Sequence, residues 1–223
     1  MSNQQNYFNP ILLQPDFTPE VLKNLLRKQG CDGCDLGLQD NFRGPVVFRG
    51  NPQANHIVIG EAPGLREDID GIPFTGPAGK LLEKMWKGMG WDLEKDWYVT
   101  NVLHCRPVAP AGSGRQNLTP KVQQIKNCRP YIVHEIKSLN PTVVVLLGAV
   151  ATKSILPKET EGRNQTQLVG KIFYGEEFPG VTFFTMFHPA YLLRSQGSER
   201  YPQLRKDSWD HAKLLKEIIN ELG

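Results

Sequence analysis

"PTVVVLLG", residues 141–148, is apolar without a break from Val143 to Leu147 and is closed by Pro141 on one side and Gly148 on the other. A strand with one wet face alternates apolar and polar residues. An unbroken apolar run of this length fits a strand covered on both faces, as in a parallel sheet. Three shorter runs have a similar character: "HIVIG" (56–60), "WYVTNVL" (97–103) and "VTFFTMFHP" (181–189). Between them stand segments with helical spacing. "GPAGKLLEKMWKGMG" predicts a helix from Ala78 to Met89, and "AVATKSILP" a short helix after the central strand. "TPKVQQIKNCRPYIVHEIKSL" predicts a helix opening at Thr119 and Pro120 and disturbed by Pro130. "KDSWDHAKLLKEIINEL" is an amphipathic terminal helix, and "DFTPEVLKNLLRKQG" a first one, capped by Thr18 with Pro19 in its first turn and ending at Gly30. Strands alternating with helices imply right-handed βαβ units. The expected fold is a three-layer α/β/α sandwich around a central four-stranded, mainly parallel sheet.

The totals agree with such a domain. A chain of 223 residues, 39% hydrophobic and 22% charged, is ordinary for a soluble globular protein and long enough to bury a core. No repeat, low-complexity tract or linker divides it, so residues 1–223 are expected to form one domain. No apolar run approaches the ~18–20 residues of a membrane helix. "MSNQQNYFNP" lacks the charged-then-apolar layout of a signal peptide. A cytoplasmic protein with no membrane contact is expected. The net charge of +3 permits a polyanionic partner only through local clustering of basic residues. Four cysteines, Cys31 and Cys34 in "CDGC", Cys105 and Cys128, are not read as disulfides in that compartment.

In sheets of this kind, ligands bind beyond the carboxyl ends of the strands. That edge collects Glu61 after the first strand, Asn101 at the end of the second and His188 after the fourth. The loop after the first strand, "GEAPGLREDIDGIPFTGPAGKLLEKMW" (60–86), holds more than a turn requires, with a carboxylate at the strand end and Phe74 among small residues. It is not a dinucleotide loop, because Ala62 stands where the second glycine belongs. Nor is it a phosphate loop: Phe74 occupies the first glycine position, and Leu81 that of the Ser or Thr.

Taken in order, "CDGC", "GEAPG…ED…G-PF-GPAG-LL", "VTNV--CRP", "NCRPY", "LLG--A" and "HPAYLLR" resemble the family 4 uracil-DNA glycosylases, the iron–sulfur branch of their superfamily. The match runs from about residue 31 to 194, most of the chain. Each motif alone is weak, and their order makes the resemblance specific. It implies a base-excision enzyme that hydrolyses the bond between uracil and its sugar and leaves an abasic site. A non-catalytic DNA-binding or replication-associated module on the same fold is the alternative, and intact Glu61, Asn101 and His188 argue against it.

What the resemblance assigns to these residues agrees with their chemistry. A base must leave the stack before its glycosidic bond is reached, and Phe74 offers a flat apolar face against it. The Asn101 carboxamide accepts from uracil N3–H and donates to O4, a pattern that cytosine reverses. His188 and the backbone amides of the Glu61–Gly64 loop, with Ala62 and Gly64 against the base, offset the negative charge growing on the ring. Glu61 either positions water or stabilises the sugar cation. Plainer readings stand beside these: Glu61 as a turn cap, Phe74 as core, Asn101 as a strand-closing turn former. By the same resemblance Tyr191, Leu192, Leu193 and Arg194, in the stretch "HPAYLLR", reach DNA, with Leu192 and Leu193 a wedge or simply packing and Arg194 a contact to phosphate or stack. Arg200, Arg205, Lys206 and Lys213 add phosphate contacts or form a solvated face. The other histidines, His104 among them, are read as surface or core.

The resemblance further implies a [4Fe–4S] cluster on Cys31, Cys34, Cys105 and Cys128, carried in part by an N-terminal segment of about residues 18–50. Zinc takes the same thiolates, although split ligand pairs are a weaker zinc signal. Nothing in base excision needs an electron, so the cluster is expected to be structural. The loop "PVAPAGSGRQNLTP" (107–120) is longer than the family pattern leads one to expect. A related branch carries there a histidine that bonds covalently to the DNA sugar. This loop has none, so turnover by a monomer acting on uracil-containing DNA is expected rather than trapping.

Overall fold

The computed structural model describes residues 43–109 and 117–222, together with residues 18, 20–22, 24, 26 and 34–38. The expected end of the first helix, Cys31 and residues 110–116 of the long loop lie outside the described residues.

Strands β2 (His56–Gly60), β3 (Tyr98–Asn101), β4 (Val143–Leu147) and β6 (Thr182–Met186) are the four expected, and they are mutually parallel in the order β3-β2-β4-β6. The apolar run of β4 is explained by its neighbours. Val144 and Leu146 enter one core with Ile57, Ile59, Tyr98 and Phe183, while Val143, Val145 and Leu147 enter another with Val58, Val99, Phe184 and Met186. Period-two alternation therefore persists, with both faces dry. Helices α4 (Val122–Leu139) and α5 (Gly148–Ile155) cover the first face, through Tyr131, Ile132, Ile136, Ala151 and Ile155. Helices α2 (Pro77–Gly88) and α8 (Tyr201–Leu222) cover the second, through Leu82, Met85, Trp86, Ala212, Leu215 and Ile218. Leu22, Leu26, Cys34 and Leu36 of the N-terminal segment join the first core. Thr18 caps the first helical turn as expected, its Oγ1 accepting from the Val21 amide at 3.3 Å.

The sheet is larger than the four strands expected. Antiparallel edge strands β1 (Phe48–Gly50) and β5 (Ile172–Tyr174) extend it to six, in the order β1-β3-β2-β4-β6-β5. Each has only three residues and is partly exposed, and the apolar runs they touch, Val46–Phe48 and Ile172–Tyr174, are too short to be told from a loop in sequence. Pro130 does not divide α4, which runs through it and begins at Val122 rather than at Thr119. Packing of Tyr131, Ile132 and Ile136 on the sheet offsets the hydrogen bond that Pro130 cannot donate. Shorter helices complete the fold: α1 (Leu65–Asp70), α3 (Leu93–Asp96), α6 (Gln165–Leu168) and α7 (Pro189–Arg194). Among the described residues, no helix is long and apolar enough to cross a membrane.

Candidate functional site

The carboxyl ends of the parallel strands bring several of the expected residues together. The β2–β3 ladder continues past β3, with the Val102 amide donating to the Gly60 carbonyl at 3.0 Å and the Leu103 amide to that of Glu61 at 3.1 Å. These bonds fix Glu61 beside Asn101, whose register partner is Gly60. Gly60 is the point where two predicted residues meet. A β-carbon there would lie 2.6 Å from Cζ of the Phe74 ring and closer still to Oδ1 of Asn101. Bare backbone is thus required to bring carboxamide and ring together. Asn101 is only 2% exposed, so its polar group is committed to whatever occupies this corner.

Phe74 reaches the corner through an unusual backbone, at φ 56°. A bulky residue in the left-handed region is uncommon and is held there by its surroundings. Its ring lies 6.1 Å from that of His188, inclined by 23°. His188 is the N-cap of α7, and its Nδ1 accepts from the Ala190 amide at 3.1 Å. Nδ1 being an acceptor, the proton of the neutral ring sits on Nε2, which is left as a donor. Desolvation, with a smaller contribution from the Arg194 charge, lowers the His188 pKa from 6.5 to about 4. The imidazole is therefore neutral across the physiological range. Glu61 is perturbed in the other direction. Burial raises its pKa, against an opposing pull from Arg194. Arg194 is exposed and influences both groups.

Ala62 and Gly64 lie half-buried along the loop between Glu61 and α1. Glu67 fastens that loop to the one bearing Phe74, accepting from the Gly64 amide at 3.1 Å and from the Gly76 amide at 2.9 Å. The neighbouring Asp68 is buried and faces Arg106 at 3.6 Å, and Arg106 donates to Asn117 at 2.7 Å. Gly60 and Glu67 were not singled out in sequence. For Glu67 a signal existed, the "ED" within the loop motif. Leu192, expected at the DNA surface, is 4% exposed and packs inward, while Leu193 is half-buried. Of the basic residues expected nearby, Arg200 and Arg205 are exposed, whereas Lys206 and Lys213 both approach Asp210, at 2.7 and 3.6 Å.

At the other side of the fold, Cys34, Cys105 and Cys128 are buried and line one cavity together with Leu26, Leu36, Pro45, His104 and Tyr131. Among the described residues, no group of three or more His, Cys, Asp or Glu side chains is placed to hold a metal ion. Of the two readings left open in sequence, surface or core, His104 is core, at 2% exposure. Its Nε2 is 2.8 Å from Glu135 Oε1, off the line of a hydrogen bond, while the Tyr98 hydroxyl donates to Glu135 Oε2 at 2.6 Å. Burial, then the Glu135 charge, raises the Tyr98 pKa well above its ordinary value.

The uracil DNA glycosylase superfamily profile matches residues 47–217. A type-4 uracil-DNA glycosylase of Archaeoglobus fulgidus is 33% identical over 91% of this chain and 95% of its own length. The type-4 uracil-DNA glycosylase of Saccharolobus solfataricus is 31% identical, over 90% and 86% respectively. That of Sulfurisphaera tokodaii is 36% identical, over 84% and 80%. With its sheet edge, loops and cysteines arranged as described, and with such relatives aligned along nearly its whole length, the chain belongs to the uracil DNA glycosylase superfamily.

Proposed function

We propose that this protein excises uracil from DNA by hydrolysing the N-glycosidic bond, as the first step of base excision repair. One observation carries the assignment of roles: the Asn101 carboxamide and the Phe74 ring meet over Gly60, with the His188 ring alongside Phe74. A flipped uracil stacks on Phe74 and exchanges two hydrogen bonds with Asn101. Cytosine, with donor and acceptor reversed, leaves the buried carboxamide unpaired and is rejected. As the bond to C1′ breaks, its electron pair moves into the ring, and charge gathers on O2. The Nε2–H of neutral His188 donates to O2 there, with the amides of the Ala62–Gly64 stretch adding dipoles. Glu61, ionised, lies on the sugar side, where it orients water or stabilises the cation. Arg194 and the half-buried Leu193 contact DNA, and Leu192 anchors their helix from within.

Three buried thiols lining one cavity, with apolar walls around them, fit a cysteine-bound [4Fe–4S] cluster, with Cys31 as the fourth ligand. When bound, it supplies a cross-link between the N-terminal segment and α4, not a chemical step. The shared core of that segment and the sheet supports a single domain over residues 1–223, and thiols kept for a cluster suit the reducing cytoplasm. The test is incubation with a uracil-containing single-stranded oligonucleotide followed by alkali cleavage at the abasic site. Cleavage by the wild type and its loss in Asn101→Ala are expected. Asn101→Asp is expected to admit cytosine. Binding without cleavage would favour the non-catalytic alternative.

A further inference from the structure

We propose that Arg49, on edge strand β1, is the positioning residue that holds Phe74 in the conformation the site requires. The inference rests on the reading of Phe74 as the face against the base. Arg49 Nη1 donates to the Phe74 carbonyl oxygen at 2.9 Å. The guanidinium is aimed there by two carboxylates: Nε meets Glu94 of α3, and Nη2 lies 3.4 Å from Glu83 of α2. Those carboxylates are about half exposed, at 55% and 49%, whereas the Arg49 side chain is 14% exposed. Exposed ion pairs add little stability, so their effect here is orientation. A planar fork with fixed donor directions suits this three-way contact, which a lysine ammonium cannot reproduce.

The need for such a clamp follows from the backbone. At φ 56° the Phe74 peptide is strained, and unassisted it would relax toward negative φ and swing the ring away from Gly60 and His188. One feature admits this orientation of the carbonyl and a second holds it. Gly79 makes room for it, since a β-carbon there would overlap the Phe74 carbonyl oxygen, and Arg49 grips the oxygen from edge strand β1. β1 has the register to deliver it, with Arg49 opposite Val99 of β3. The antiparallel edge that the sequence did not reveal therefore has a task at the site.

The proposal is tested with Arg49→Met, Phe74→Leu and the double variant, each characterised by thermal melting and by steady-state excision from a uracil oligonucleotide. Stacking is present in both the ground and transition states, so losing its alignment raises KM and leaves kcat per folded site nearly unchanged. Arg49→Met is expected to raise KM about tenfold with kcat within about twofold. The double variant is expected to show no further rise beyond Phe74→Leu, because both changes remove one arrangement. Arg49→Lys, which keeps the charge but not the planar fork, is expected to shift KM in the same direction. If Phe74→Leu raises KM while Arg49→Met and Arg49→Lys only lower the melting temperature, Arg49 is structural and the proposal fails alone. If Phe74→Leu leaves KM unchanged, the reading of Phe74 fails and takes the proposal with it. Additive effects in the double variant also overturn it.

Discussion

His188 offers the sharpest quantitative test, because its tautomer and its ionisation are set by different contacts. Nδ1 is occupied by the Ala190 amide, and the folded-state pKa is lowered from 6.5 to about 4 by desolvation and by Arg194. The unfolded chain therefore takes up a proton below about pH 6.5 that the folded chain refuses until about pH 4. Stability associated with neutral His188 is complete above the higher value and is lost as pH falls toward the lower. At about 1.4 kcal/mol per pH unit, the loss is about 2 kcal/mol at pH 5 and about 3 kcal/mol once the folded pKa is passed.

The perturbation is His188→Asn, which retains an N-cap acceptor for α7 but does not titrate. Any difference in capping strength is independent of pH and cancels when each protein is compared with itself at pH 7 and pH 5. Between those conditions the wild type is expected to lose about 4–8 °C more in melting temperature than the variant, at roughly 2–4 °C per kcal/mol for a chain of this size. Nitrogen chemical shifts of the ring supply a direct reading. Nε2 should carry the proton throughout, with no titration near pH 6.5. Parallel melting curves for the two proteins, or an imidazole titrating at its ordinary value, would refute both the desolvation of His188 and the use of a neutral imidazole at uracil O2.

Glu61→Gln should abolish excision yet raise the melting temperature at neutral pH. A carboxylate whose folded pKa is raised contributes stability that is present below its unfolded value and lost as pH rises through the folded one. The gain should shrink as the pH falls toward 4.5, and a lower melting temperature for the variant at pH 7 would contradict the burial argument. The same raised pKa places the acid limb of the wild-type rate profile above the ordinary carboxylate range, which a pH series of kcat/KM reads directly. Gly60→Ala should reduce kcat/KM by at least about 100-fold, because its methyl displaces the Asn101 carboxamide and the Phe74 ring together. Near-wild-type excision would mean that the pair does not meet over Gly60. Cys105→Ser should lower iron content and melting temperature while the folded fraction retains its kcat. A fall in kcat at unchanged folding would give the cluster a role in the chemistry.

What could be read in advance follows from how far apart the interacting residues lie. Val143–Leu147 carries its environment in its own composition, since only a strand covered on both faces tolerates such a run, and the parallel core follows from that. Glu61, Asn101 and His188 were placeable because each ends or follows a strand and parallel strands end together. The edge strands carry no such mark. Three residues with partial exposure look the same in a loop, and their pairing is decided by β3 and β6 rather than by themselves. Leu192 illustrates the converse difficulty: on a short helix, adjacent leucines differ in burial through the helix rotation, which nothing local fixes.

Arg49 belongs to a third kind, invisible because it acts on backbone distant in the chain, and Glu67, which the loop motif did mark, shares it through its bond to Gly76. Glu67 joins two loop amides, Gly64 and Gly76, and Arg49 grips a carbonyl brought near by the β1–β3 pairing. Backbone groups are the same at every residue, so a side chain that recognises them leaves no matching partner in the sequence. The chemistry-bearing side chains are thereby more legible than the supports that aim them, although the strain at Phe74 makes the support as necessary as the ring. A substitution pattern that spared the supports and altered only Glu61, Asn101 and His188 would address the reaction. Changes at Arg49, Glu67 or Gly79 would address whether those groups are held where the reaction needs them.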